Sequence, residues 1–142
     1  MNFKNLPANW STIPLTDPHH IADVLDIFVG QRDRMVGSLL ILICDEARRP
    51  VQPLIINDIE AGGPGGDHDA LARLALHVAD LKPDATVLCA IARQGRTRVT
   101  KTDQRWANAL ERAFAGHLDL FGVHLVTLDG TVPISTEGEQ AA

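Results

Sequence analysis

Tyrosine is missing altogether, and two Trp and four Phe are the only aromatic side chains in the 142 residues. Binders of single-stranded nucleic acid stack bases on exposed aromatic rings, so this deficit argues against that class. Basic residues are also outnumbered: 13 Lys and Arg face 18 Asp and Glu, for a formal net charge of -5. Affinity for polyphosphates and anionic membranes comes from excess positive charge, and nucleic acid is therefore not the expected partner.

Cysteine is nearly absent as well. Cys44 and Cys89 each sit in an apolar run, where a free thiol behaves as a small buried hydrophobe, so no disulfide framework is expected. No apolar run approaches the roughly 20 residues of a membrane span. The opening "MNFKNLPANW" lacks the positive-then-apolar pattern of a secretory signal. A cytoplasmic protein without membrane association is the expectation.

Several catalytic signatures are missing too. The six histidines, His19, His20, His68, His77, His117 and His124, form neither H-x-H nor H-E-x-x-H. His19 and His20 are neighbours in a helical first turn and cannot project in one direction. A zinc deaminase would require H-x-E with P-C-x-x-C, and a serine hydrolase elbow would require G-x-S-x-G; neither pattern occurs. The Gly-rich "AGGPGGDHD" lacks the Lys-Ser/Thr of a phosphate loop, and Asp67 and Asp69 would repel a phosphate. It reads as a flexible connection ending in an Asp helix cap. No metal and no cofactor is expected.

What is present is an ordinary globular composition, 45% hydrophobic and 22% charged, in a chain long enough to bury one core. Residues 1–16 read as a surface arm broken by Pro7 and Pro14 and anchored by Trp10; residues 17–135 form the globular domain; residues 136–142 form a frayed tail. Asp17 can cap a helix with Pro18 at its first position, Ile21, Val24, Leu25 and Phe28 make its apolar stripe, and Gly30 can supply a left-handed terminus. "SLLILICD" reads as a central strand buried on both faces, and "VQPLIINDI" as its antiparallel neighbour, with Pro53 marking an edge or bulge. Leu71, Leu74, Val78 and Leu81 recur at helical spacing before Pro83.

"ATVLCAIA" is a second central strand. Thr102 or Asp103 can then cap a helix that buries Trp106, Leu110, Ala113, Phe114 and Leu118. "GVHLVTL" is a strand, and Asp129-Gly130 turns it back through the short edge "TVPI". The order α-β-β-α-β-α-β-β predicts a single α/β (α+β) domain with a mixed sheet of four or five strands and helices packed on its faces.

Five of the thirteen basic residues, Arg93, Arg96, Arg98, Lys101 and Arg105, fall within "CAIARQGRTRVTKTDQRW". This stretch leaves the C-terminal end of a central strand and enters a helix, the usual ligand side of an open α/β sheet. Guanidinium groups present planar forks that suit carboxylate or phosphate. The competing explanation is a solvated loop whose charges serve solubility.

The order of elements over Ile21 to Ile134 resembles the JAB/MPN metallopeptidase domain, in its RadC-like branch. The first strand ends "ILICD", and the family's metal motif runs His-x-His, then Ser, then an Asp that opens a helix. Matching Asp103 to that Asp puts Thr100 at the Ser, and Ala90 and Ala92 at the two His. The family's upstream Glu is also missing, because the chain there reads Val36-Gly37-Ser38. The resemblance thus implies a degenerate, metal-free member without peptidase activity. The chain further resembles small bacterial proteins that share the pieces found here at Arg93 to Gly95, Thr100 to Leu110 and Gly122 to Gly130; no function comes with that likeness.

Three functions are compatible with these features. The first is a non-catalytic domain that binds a protein partner or a small acidic ligand through the basic loop. The second is a hydrolase or transferase acting on an anionic or nucleotide-like substrate, with Asp103, Thr100 and Cys89 as its nominated groups. The third is a homo-oligomer joined through the edge at Val132 to Ile134 or the strand with Pro53.

Overall fold

A computed structural model describes residues 8–59, 63–64 and 68–135. The start of the arm, Asp67 in the Gly-rich connection, and the tail after residue 135 lie outside these. Among the described residues the elements are α1 (Pro18–Phe28), α2 (Gln31–Val36), β1 (Ser38–Cys44), β2 (Pro50–Asn57), α3 (His68–Leu81), β3 (Thr86–Ala92), α4 (Lys101–Phe114), β4 (Asp119–Thr127) and β5 (Gly130–Pro133). A mixed five-stranded sheet in the order β2-β1-β3-β4-β5 carries the helices, as the element order predicts.

β1 and β3 are buried at every position, which is why their sequences are continuous apolar runs rather than alternating ones. They pair antiparallel, from Ser38 opposite Ala92 to Cys44 opposite Thr86. β3 and β4 are parallel and require the crossover that α4 supplies. Alternate side chains of the sheet feed two cores. Leu39, Ile41, Cys89 and Ile91 meet Trp106, Leu110 and Phe114 of α4 and Val78 of α3, whereas Leu40, Leu42, Leu88 and Ala90 meet Val24 and Leu25 of α1. Among the described residues no helix is long and apolar enough to cross a membrane.

The α1 start follows its sequence signal: Asp17 accepts a hydrogen bond from the His20 N–H, and Pro18 takes the first position. Trp10 packs edge-on against Phe28, with ring centroids 5.9 Å apart. β2 is an edge strand, and Pro53 lies opposite Leu42 where its missing N–H can face outward.

Three local expectations are corrected. Gly30 is not a left-handed helix terminus: it is extended (φ -76°) and opens an additional short helix, α2, with its N–H held by the Asp33 carboxylate at 2.9 Å. The left-handed glycine is Gly37 (φ 81°), which turns the chain from α2 into β1. Leu81 is 64% exposed, and the buried stripe of α3 is Leu71, Ala75 and Val78. The cap of α4 is Thr100, one turn earlier than Asp103.

One irregularity governs β4. The pairing of Val87 with Leu120 is followed by that of Leu88 with Gly122, so Phe121 is an extra residue in the ladder. Beyond this bulge Val123 and Leu125 enter the core under α3 and α4, while Val126 enters the α1-side core.

Candidate functional site

β3 ends at Ala92, and the chain crosses the end of the sheet before α4 starts at Lys101. Because β3 and β4 are parallel, this crossing lies beside the C-terminal end of β4, and the Arg93 N–H bonds to the Val126 carbonyl at 3.1 Å.

Arg93 organises the loop. Its Nε and Nη2 donate to the two oxygens of Asp103 at 2.9 and 2.8 Å, a bidentate fork. Its remaining N–H groups reach the carbonyls of Gln94 (2.8 Å), Arg96 (3.2 Å) and Arg98 (2.9 Å). All five guanidinium donors are thereby satisfied within the loop and by Asp103. Gly95 makes the wrap possible: its φ is 97°, and a Cβ there would stand 3.1 Å from Nη1 of Arg93.

Asp103 is buried to 1% exposure, yet it is held ionised. Burial alone would raise its pKa; the hydrogen bonds from Arg93 and from the Thr100 backbone overcome that and keep it below the usual carboxylate range. Thr100 and Asp103 also form a reciprocal capping box. The Thr100 N–H donates to Asp103 at 2.8 Å, and the Thr100 hydroxyl accepts from the Asp103 N–H at 3.2 Å.

Two further bonds pin the loop. Gln94 Nε2 donates to the Met35 carbonyl at 2.7 Å, tying it to α2, and the hydroxyls of Thr97 and Thr127 meet at 2.5 Å, tying it to the end of β4. Sequence reasoning did not single out Gln94 or Thr97, because polar loop residues carry no periodic signal. The glycine inside "RQGR" was the available hint of a tight turn.

Arg96, Arg98, Lys101 and Arg105 are exposed, and none of them enters an ion pair among the described residues. The five basic residues thus separate into one internal strut, Arg93, and four outward charges.

A cavity of about 280 Å³ opens beside the loop. Met35, Val36, Ile59, Ile91 and Trp106 give it apolar walls, and the polar side is formed by Arg93, Gln94, Thr102 and Asp103.

Of the positions matched to the JAB/MPN metal motif, Ala92 and Asp103 both line this cavity and Ala90 does not. Ala90 and Ala92 are fully buried in the α1-side core, while Asp103 belongs to the helix on the opposite layer. The residues do not fit a zinc ion: two positions carry methyl groups, and both Asp103 oxygens are engaged by Arg93 and Thr100. Among the described residues no three His, Cys, Asp or Glu side chains come together as a ligand set.

The remaining nominated groups are employed or enclosed. Cys44 and Cys89 are buried free thiols; burial pushes Cys44 up to about 12 and raises Cys89 as well. His19, His77 and His117 are exposed. His124 is mostly buried on β4, its Nδ1 has no hydrogen-bond partner, and desolvation lowers its pKa to about 4. No protein-family model matches the chain, and no curated protein is similar to it.

Proposed function

We propose that this protein is a non-catalytic binding domain whose Arg93–Lys101 loop presents a fixed set of positive charges to an acidic partner. The observation that carries this reading is the division of labour among the arginines. Arg93 satisfies its donors internally and holds the backbone, which leaves Arg96, Arg98 and Lys101 outward without carboxylate partners among the described residues. A pre-ordered loop loses less conformational freedom on binding than a mobile one, so its charges act together.

The same geometry weakens the hydrolase or transferase alternative. A general base must be free to accept a proton, and Asp103 is bound to Arg93 through both oxygens. The Thr100 hydroxyl serves as a helix cap, and the Cys89 thiol is enclosed. A degenerate JAB/MPN relationship agrees with this reading, since Ala90 and Ala92 offer no metal donor.

Fluorescence anisotropy with a labelled heptaglutamate peptide tests the proposal. The peptide should bind the native protein at low ionic strength, and binding should weaken with salt. The triple variant Arg96→Ala, Arg98→Ala, Lys101→Ala should lose it while keeping its unfolding midpoint, because these exposed side chains form no ion pair among the described residues. Unchanged binding by the folded triple variant would refute the role of the loop.

A further inference from the structure

The cavity beside the loop combines apolar walls with a polar side. Its walls are apolar, with Trp106 at 6% exposure inside it and Met35 at 57% exposure on its rim. Its polar side is formed by Arg93, Gln94, Thr102 and Asp103; the Arg93 charge is paired with the Asp103 carboxylate, so that side offers no free charge. The exposed basic side chains are sequence neighbours of its lining residues or lie on the adjoining loop, and one exposed carboxylate, Asp58, likewise adjoins the lining residue Ile59. Lys101 precedes the lining residue Thr102, Arg105 precedes the lining residue Trp106, and Arg96 and Arg98 lie on the loop that Arg93 holds.

Size and charge distribution narrow the occupant. About 280 Å³ is below the usual range for a drug-sized ligand or cofactor pocket but accommodates an apolar side chain. The exposed cations span a loop and the first two turns of α4, a wider spread than a single phosphate requires. With Trp106 enclosed, no exposed ring among the described residues is available to stack a base, which disfavours a nucleic-acid strand.

We propose that the cavity receives one apolar side chain of an acidic protein segment, whose flanking carboxylates meet Arg96, Arg98, Lys101 and Arg105. This inference rests on the binding reading above and adds a sequence requirement to it: acidic residues surrounding a hydrophobic anchor.

Replacing the central Glu of the heptaglutamate probe by Leu tests it, because the two ideas predict opposite signs. Charge alone makes the Leu peptide bind more weakly, since it has lost a carboxylate. An anchor in the cavity makes it bind about tenfold more tightly, the scale of burying such a side chain. Thr102→Phe, which places a ring in the cavity, should abolish the preference and leave heptaglutamate binding intact. Met35→Ala alters only the exposed rim and should reduce the preference if Thr102→Phe does not fold. Equal or weaker binding of the Leu peptide overturns the anchor and leaves the basic-loop reading standing. A preference that survives in folded Thr102→Phe and in Met35→Ala likewise overturns it. Failure of both peptides removes both proposals, and cavity-dependent binding of phenyl phosphate in their place would make the ligand a small anion.

Discussion

Arg93 and Asp103, ten residues apart in the chain, meet through two parallel hydrogen bonds of 2.9 and 2.8 Å, and the contact closes the loop between them. The carboxylate faces the guanidinium from the first turn of α4, where it also completes the helix cap. One interaction therefore sets the position of a loop, the start of a helix and one wall of a cavity.

Breaking that contact has a predictable cost. Asp103→Asn turns an amide N–H₂ or a single weaker acceptor toward a guanidinium that remains in place, and the loss should be about 2–3 kcal/mol in urea unfolding. Arg93→Lys should not rescue the loop, because a single ammonium cannot span two carboxylate oxygens and three carbonyls. Amide exchange at residues 94–99 should accelerate in both variants. A double variant that costs the sum of the two single ones would mean the pair does not act as a unit.

His124 gives the protein an acid sensitivity of definite sign. Its folded pKa of about 4 lies below the ordinary value of 6.5, so the unfolded chain binds the proton more readily. Stability should be unaffected above the ordinary value and fall as pH drops from there toward the folded value, by roughly 3 kcal/mol in all. His124→Leu should flatten the profile in this window. A variant that follows the native profile would show that another group is responsible. The Asp103 contribution has the same sign but appears at lower pH, being lost as pH falls below the ordinary Asp value.

The two cysteines should be silent. Both are enclosed in the sheet, and burial disfavours their thiolates. A disulfide-exchange reagent at pH 8 should label neither thiol in the native protein and both after denaturation. Rapid native labelling of Cys89 would return it to consideration as a nucleophile.

The strongest elements were legible because their signals are local. The capping pair Asp17-Pro18, the unbroken apolar runs of β1 and β3, and the stripe led by Trp106 specify their environments within a few residues. α2 was not legible. It has six residues and no apolar stripe, and its buried member is Arg34, which bonds to Asp26 at 2.7 Å and to the Val29 carbonyl at 3.0 Å. The basic loop was visible as a cluster of charge, but its internal arrangement depends on a left-handed Gly95 and on partners ten or more residues away. Composition could not distinguish the arginine that builds the loop from those it displays.

The extra residue at Phe121 makes the length of β4 as informative as its composition. Removing it would restore a regular ladder and, for a strand still anchored at Leu120, turn every later side chain to the other face. Val123 and Leu125 would leave the layer of Trp106 and Phe114, and His124 would be driven into it. A single-codon deletion there would amount to turning half a strand inside out, whereas many substitutions along the same strand would leave its sides as they are.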